Sequence, residues 1–129
     1  MQRLISALGA LSGLMGAAGV ALAAASTHAG GGDNGRVAAT FLILHAATLL
    51  GVAACARAFE DRAALAKALI LAGGALGLGT IVFAADLVRR AFAGDRLFPF
   101  AAPIGGSLMI LAWLALAGIF VMSALSRRR

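Results

Sequence analysis

Four long apolar runs, almost free of charged residues, dominate this sequence. They cover residues 4–26, 37–56, 65–87 and 101–124, and each is 20 to 24 residues long. A helix rises about 1.5 Å per residue, so each run can cross a hydrocarbon core of about 30 Å. Because lipid offers the backbone no hydrogen-bond partner, such a segment must close its own bonds as a helix. The sequence therefore predicts an all-α membrane protein, one domain over residues 1–129, with four transmembrane helices in a compact antiparallel bundle.

The composition excludes most other classes of protein. Of the 129 residues, 62% are hydrophobic and only 12% are charged, whereas a soluble domain is roughly half apolar and one-quarter charged. The single Cys55 cannot form a disulfide within the chain, and no Cys/His spacing typical of zinc is present. We therefore expect neither a soluble enzyme nor a metal or other cofactor.

The distribution of basic residues predicts the orientation, because Lys and Arg concentrate on the cytoplasmic side of bacterial inner-membrane proteins. With four spans, the two termini and the second polar break share one side. That side carries seven basic residues and the other carries four: Arg3, Arg57, Arg62, Lys67, Arg127, Arg128 and Arg129 against Arg36, Arg89, Arg90 and Arg96. We predict that both termini are cytoplasmic. The net charge of +6 fits this rule and anionic headgroups better than it fits nucleic acid.

The first run also has features of a cleaved signal peptide, since Arg3 precedes it and small residues lie at 21–25. However, its roughly 22 apolar residues exceed the usual 7–15 of a signal-peptide core. We interpret it as a retained helix.

Small residues predict where the helices pack, because association in lipid depends on close backbone approach. Gly9 and Gly13 form one small-xxx-small pair, and Gly73 and Gly77 form a second. We favour packing within the chain over packing between chains. Trp113 lies about 15 Å inside the fourth run, too deep for the interfacial belt, and is interpreted as a packing residue.

Three ionisable residues near or within the runs are candidates for binding. His45 is the deepest, and we favour a neutral imidazole that bonds a neighbouring helix, with ligand, quinone and proton-handling roles as alternatives. Asp86 is placed to pair locally with Arg89 or Arg90. His28 either faces solvent at the end of the first helix or meets Asp86.

The turn at Pro103, Gly105 and Gly106 would permit close approach to a neighbouring helix or a small ligand. No catalytic motif occurs: the sequence lacks a nucleophile elbow, a phosphate loop, CxxC and HExxH. His28 and His45 are offset by roughly 12 Å along the membrane normal, so a shared metal or haem is not expected. We predict no catalytic residue and no metal ligand.

Several segments resemble one known family in their order along the chain. They are Gly16–Leu22 followed by His28, His45-Ala46, Phe83–Leu87, and Ala102–Gly106 followed by Trp113. Together they resemble the YgdD-like small membrane proteins (domain of unknown function 423, including the transmembrane protein 256 type). The sequence departs from that pattern at residues 24–27 and at Ala85, which replaces a glycine. The resemblance implies a four-helix inner-membrane protein without an agreed activity.

These observations support three hypotheses of function. The first is a non-enzymatic accessory or assembly component of a larger membrane protein complex, which fits the small size and short loops. The second is a binder or transporter of a lipid, quinone or ion, with an outer-leaflet site at His28, His45 and Asp86. The third is a redox subunit carrying haem or quinone. The oligomeric state stays open.

Overall fold

The computed structural model describes residues 1–126 and contains four α-helices. The arginines at 127–129, which contribute to the predicted orientation, lie outside the described residues. The helices are α1 (Gln2–His28), α2 (Gly32–Ala58), α3 (Ala63–Phe92) and α4 (Ala101–Ser126). All four are long and apolar enough to cross a membrane. The predicted four-helix membrane bundle is confirmed.

Every helix extends beyond the apolar run that predicts it. Asp33 and Arg36, expected in a polar break, lie in the first turns of α2, and Arg89 and Arg90 lie in the last turn of α3. Hydropathy marks only the part of a helix that sits in hydrocarbon, while backbone hydrogen bonding continues into the headgroup region. The chain reverses direction in short connections, and Gly30 adopts a φ of 82° that only glycine tolerates well.

The helices pack in chain order, α1 on α2, α2 on α3 and α3 on α4, with a smaller contact between α1 and α3. Buried positions recur at alternating intervals of three and four residues, as in helices that pack side by side. In α1 they are Ile5, Leu8, Ser12, Met15, Gly19 and Ser26, and in α2 they include Gly35, Leu42, Leu49 and Ala56.

Glycines allow the backbones to approach at these contacts. A Cβ atom added to Gly19 would lie 2.7 Å from Ile43 Cγ1, where α1 meets α2. One added to Gly73 would lie 2.9 Å from Val52 Cγ1. By contrast, a Cβ on Gly9 or Gly13 would meet nothing within 4 Å. The expected packing role of Gly9 and Gly13 within the chain is therefore wrong, because this pair lies off the face that α1 turns towards α2.

A close backbone contact joins α3 and α4. A Cβ on Gly105 would lie 2.6 Å from the Phe83 nitrogen and 2.7 Å from the Gly79 oxygen. Beside this crossing, the Thr80 hydroxyl donates to the Leu76 carbonyl at 2.8 Å and also contacts the Met109 sulfur at 3.3 Å. α3 and α4 are thus held at backbone-to-backbone distance.

Candidate functional site

His45 lies inside the bundle and is only 7% exposed. Its Nδ1 is 2.8 Å from the Phe41 carbonyl oxygen, which can only accept, so Nδ1 carries the proton. In the neutral ring Nε2 is then an acceptor, and the Trp113 indole N–H donates to it at 3.4 Å. Both ring nitrogens of His45 therefore have partners, one within α2 and one on α4.

Aromatic contacts surround this hydrogen-bonded pair. The His45 ring stacks on Phe41 with centroids 5.5 Å apart, and Phe41 lies 4.7 Å from the Phe83 ring of α3. The Trp113 ring meets His45 edge-on at 6.2 Å. The His45 cluster, defined as Phe41, His45, Phe83 and Trp113, thus joins α2, α3 and α4 at membrane depth.

Asp86 is fully buried near the end of α3. Its Oδ1 accepts a hydrogen bond from the Leu97 backbone N–H at 2.8 Å. Its Oδ2 lies 2.5 Å from Arg90 Nη2, although this ion pair lacks the alignment of a hydrogen bond and Arg90 Nε has no partner. The carboxylate therefore holds the α3–α4 connection against α3.

A second carboxylate holds the same connection from the outside. Arg89 donates to both oxygens of Asp95, from Nε at 2.8 Å and from Nη2 at 2.9 Å. The pKa of Asp95 is held below its ordinary value mainly by these hydrogen bonds; desolvation of the carboxylate opposes them, and the positive charge of Arg89 adds a smaller lowering effect. Asp86 and Asp95 together form the loop clamp.

His28, the last residue of α1, is exposed. His45 lies 13 residues into α2, about 20 Å from the end of the bundle that carries His28. Within residues 1–126, no hydrogen bond, ion pair or ring contact joins any two of His28, His45 and Asp86. No group of three or more His, Cys, Asp or Glu side chains in that range is placed to hold a metal ion. The three candidate binding residues are not brought together.

The three candidate residues at the start of α4, Pro103, Gly105 and Gly106, have different surroundings. Pro103 is exposed, and a Cβ on Gly106 would meet nothing within 4 Å. Gly105 alone makes a close approach, and its neighbour is the α3 backbone rather than open space for a ligand. The remaining packing candidate, Gly77, lies against Leu11, whose Cδ2 would be 3.0 Å from an added Cβ.

Sequence reasoning missed several contacts between helices. The buried Ser12 hydroxyl of α1 donates to the Ala46 carbonyl of α2 at 2.8 Å. Gly16, one turn further on, also faces Ala46, at 3.7 Å from an added Cβ. The spacing of Ser12, Gly16 and Gly19 is four and then three residues, which places them on one face of α1. That spacing was the available signal for the α1–α2 contact.

A comparison with known families identifies a matching family model. The sequence model of a family described as "Protein of unknown function (DUF423)" matches residues 15–106. This match covers α2 and α3 entirely and confirms the resemblance drawn from the sequence motifs. No solved structure matches the chain.

Proposed function

The chain belongs to the DUF423 family, a family of unknown function, and we propose that it is a non-enzymatic component of the bacterial inner membrane that packs against a larger membrane protein complex. One observation carries this proposal: of the five buried polar or charged side chains in residues 1–126, four bond within the bundle, and the Ser26 hydroxyl is the exception. The Ser12 hydroxyl donates a hydrogen bond to the backbone of α2, and His45 accepts one from Trp113 of α4. The Thr80 hydroxyl donates to a carbonyl of its own helix. Catalytic and transport sites in membranes instead turn ionisable groups towards a cavity or a substrate path.

The outer surface supports the same proposal. α4 is the least buried of the four helices, and its backbone is close only to that of α3. Large apolar side chains project from it, among them Leu114, which is 64% exposed. We propose that the outward face of α4 meets the partner.

Affinity purification from native membranes in mild detergent tests this function. We expect a stoichiometric partner to be recovered with the wild-type chain and lost with Leu114→Ala. The matched variant Leu14→Ala, on an equally exposed position of α1, should keep the partner. A chain that purifies alone from native membranes would contradict the proposal.

The orientation with both termini in the cytoplasm is part of the same proposal. It rests on the sequence count of seven basic residues on the side of the termini against four on the other side, and Arg127, Arg128 and Arg129 make the difference. In a Cys55→Ser background, a cysteine placed at Asn34 should react with an impermeant maleimide from the periplasm. A cysteine placed at Asp61 should react only after the membrane is opened. The reverse pattern would overturn the orientation.

A groove between α2 and α4 favours a second candidate function, the binding of an apolar small molecule such as a quinone. The groove has a volume of about 410 Å³ and lies beside Trp113, Thr48 and Cys55. Its lining is almost entirely apolar, and the Thr48 hydroxyl donates to the Leu44 carbonyl, so it does not suit an ion. If His45 supports such a site through Trp113, His45→Leu should abolish quinone binding. If His45 only packs, the variant should change stability alone.

A further inference from the structure

A second groove opens between the first turns of α1 and α3. It has a volume of about 300 Å³ and is lined by Met1, by Leu4 of α1 and by Lys67, Ile70 and Leu71 of α3. The groove exists because α1 and α3 lie on either side of α2 and touch each other only slightly. Its volume is at the lower limit of small-molecule sites and its lining is mainly apolar, so it suits part of a lipid acyl chain.

The groove combines an apolar wall with one charged side chain. Leu4 and Leu71 are 58% and 74% exposed, and Lys67 is the single charged side chain of the lining. Among residues 1–126, Lys67 takes part in no hydrogen bond or ion pair. Its ammonium group is therefore available to an anion.

Arg62, at the same end of the bundle, provides a contrast. It lines a different groove, between α3 and α4, and its guanidinium lies 6.0 Å from the centroid of the Phe59 ring. The nearby acidic residue Glu60 pairs with Arg57 at 3.3 Å. Arg62 has a partner within the protein, whereas Lys67 has none in the part of the chain that the structure describes.

The position of Lys67 along α3 indicates which class of ligand this groove would bind. Lys67 lies four residues after the start of α3, about 6 Å along the helix, where a lysine can extend its ammonium group to the headgroup region. An anion held there has hydrocarbon on its inner side, along Leu4 and Leu71. Basic pockets between transmembrane helices bind the headgroups of anionic lipids. We infer that this groove binds an anionic phospholipid, with the phosphate at Lys67 and an acyl chain between α1 and α3.

Native mass spectrometry of the full chain, released from nanodiscs of equal phosphatidylglycerol and phosphatidylcholine with the same acyl chains, tests the inference. The wild type should retain one phosphatidylglycerol in preference to phosphatidylcholine. Lys67→Gln should reduce that preference about fivefold, the effect of one basic residue near an anionic headgroup. Lys67→Arg should restore it, and Arg62→Gln should leave it unchanged.

Two controls distinguish a lipid site from a loss of folding and from the binding of phosphate alone. Because Lys67 is exposed, Lys67→Gln should fold, which the helical circular dichroism of the variant checks. Glycerol phosphate, which lacks acyl chains, should not displace the retained lipid. Equal retention of both lipids, an equal loss in Arg62→Gln, or displacement by glycerol phosphate would overturn the inference.

Discussion

Glycine has opposite surroundings in two regions of this molecule. Where α3 crosses α4, Gly79 and Gly105 bring the two backbones into contact. On the outward side of α1, Gly9 and Gly13 have the small-xxx-small spacing but no neighbour within 4 Å of an added Cβ. This spacing therefore does not itself create a helix contact. A glycine matters for packing when it lies on the face that the rest of the helix turns inward.

We expect the largest loss of folding stability for Gly105→Ala. The new Cβ would meet two backbone atoms, the Phe83 nitrogen and the Gly79 oxygen, and neither can rotate away. Helices α3 and α4 would have to separate, and we expect a loss of about 3 kcal/mol, near the upper limit for overpacking. Thermal unfolding in detergent measures it. Gly106→Ala, with open space around its Cβ, should be neutral or slightly stabilising. If both variants lost the same stability, the close approach of the backbones at Gly105 would not be the cause of the loss.

We expect a smaller loss of folding stability for Gly19→Ala. Its Cβ would meet Ile43 Cγ1 at 2.7 Å, and this side chain can move, but the Ile43 nitrogen at 3.1 Å cannot. We expect a loss of about 1–2 kcal/mol. The matched Gly13→Ala should lose nothing, since alanine favours the helix over glycine. If Gly13→Ala were the more harmful change, the outward face of α1 would have to pack against another chain.

The sequence predicts the presence of the helices and the inward face of α1, but not where the helices end. A long apolar run in lipid must satisfy its own backbone hydrogen bonds, which it does as a helix, so the four helices follow from the sequence alone. The ends of the helices do not follow, because Asp33 and Arg90 look like loop residues by polarity yet have helical hydrogen bonds. The inward face of α1 was readable from the three- and four-residue spacing of Ser12, Gly16 and Gly19.

The candidate site was less predictable, because it depends on how each helix is rotated about its axis. His45 and Trp113 are 68 positions apart, and their pairing depends on the arrangement of α2 and α4 around α3. For Asp86 the local partner Arg90 was an expected alternative, since it lies one turn away. The bond from Leu97 to Asp86 crosses the α3–α4 connection, and no periodic pattern marks it.

A third prediction extends the comparison from glycines to buried polar contacts. The His45–Trp113 hydrogen bond, whose donor Trp113→Phe removes, should show a coupling of about 0.6 kcal/mol, the average for such bonds between membrane helices. A double-mutant cycle with His45→Leu measures the coupling. Because Trp113 is the single tryptophan, its fluorescence should also shift in His45→Leu. An unchanged emission spectrum and zero coupling would mean that the 3.4 Å contact contributes nothing.

The smallest effect should come from the exposed half of the loop clamp, because water screens the Arg89–Asp95 pair. The pKa of Asp95 is lowered in the folded protein, so its carboxylate stabilises the loop above the ordinary value of 3.8, and this contribution is lost as the pH falls through the folded pKa. The thermal stability of the wild type should therefore exceed that of Asp95→Asn slightly at neutral pH, and the difference should vanish in acid. A difference that persists at a pH below the folded pKa would show that Asp95 acts through a contact other than its charge.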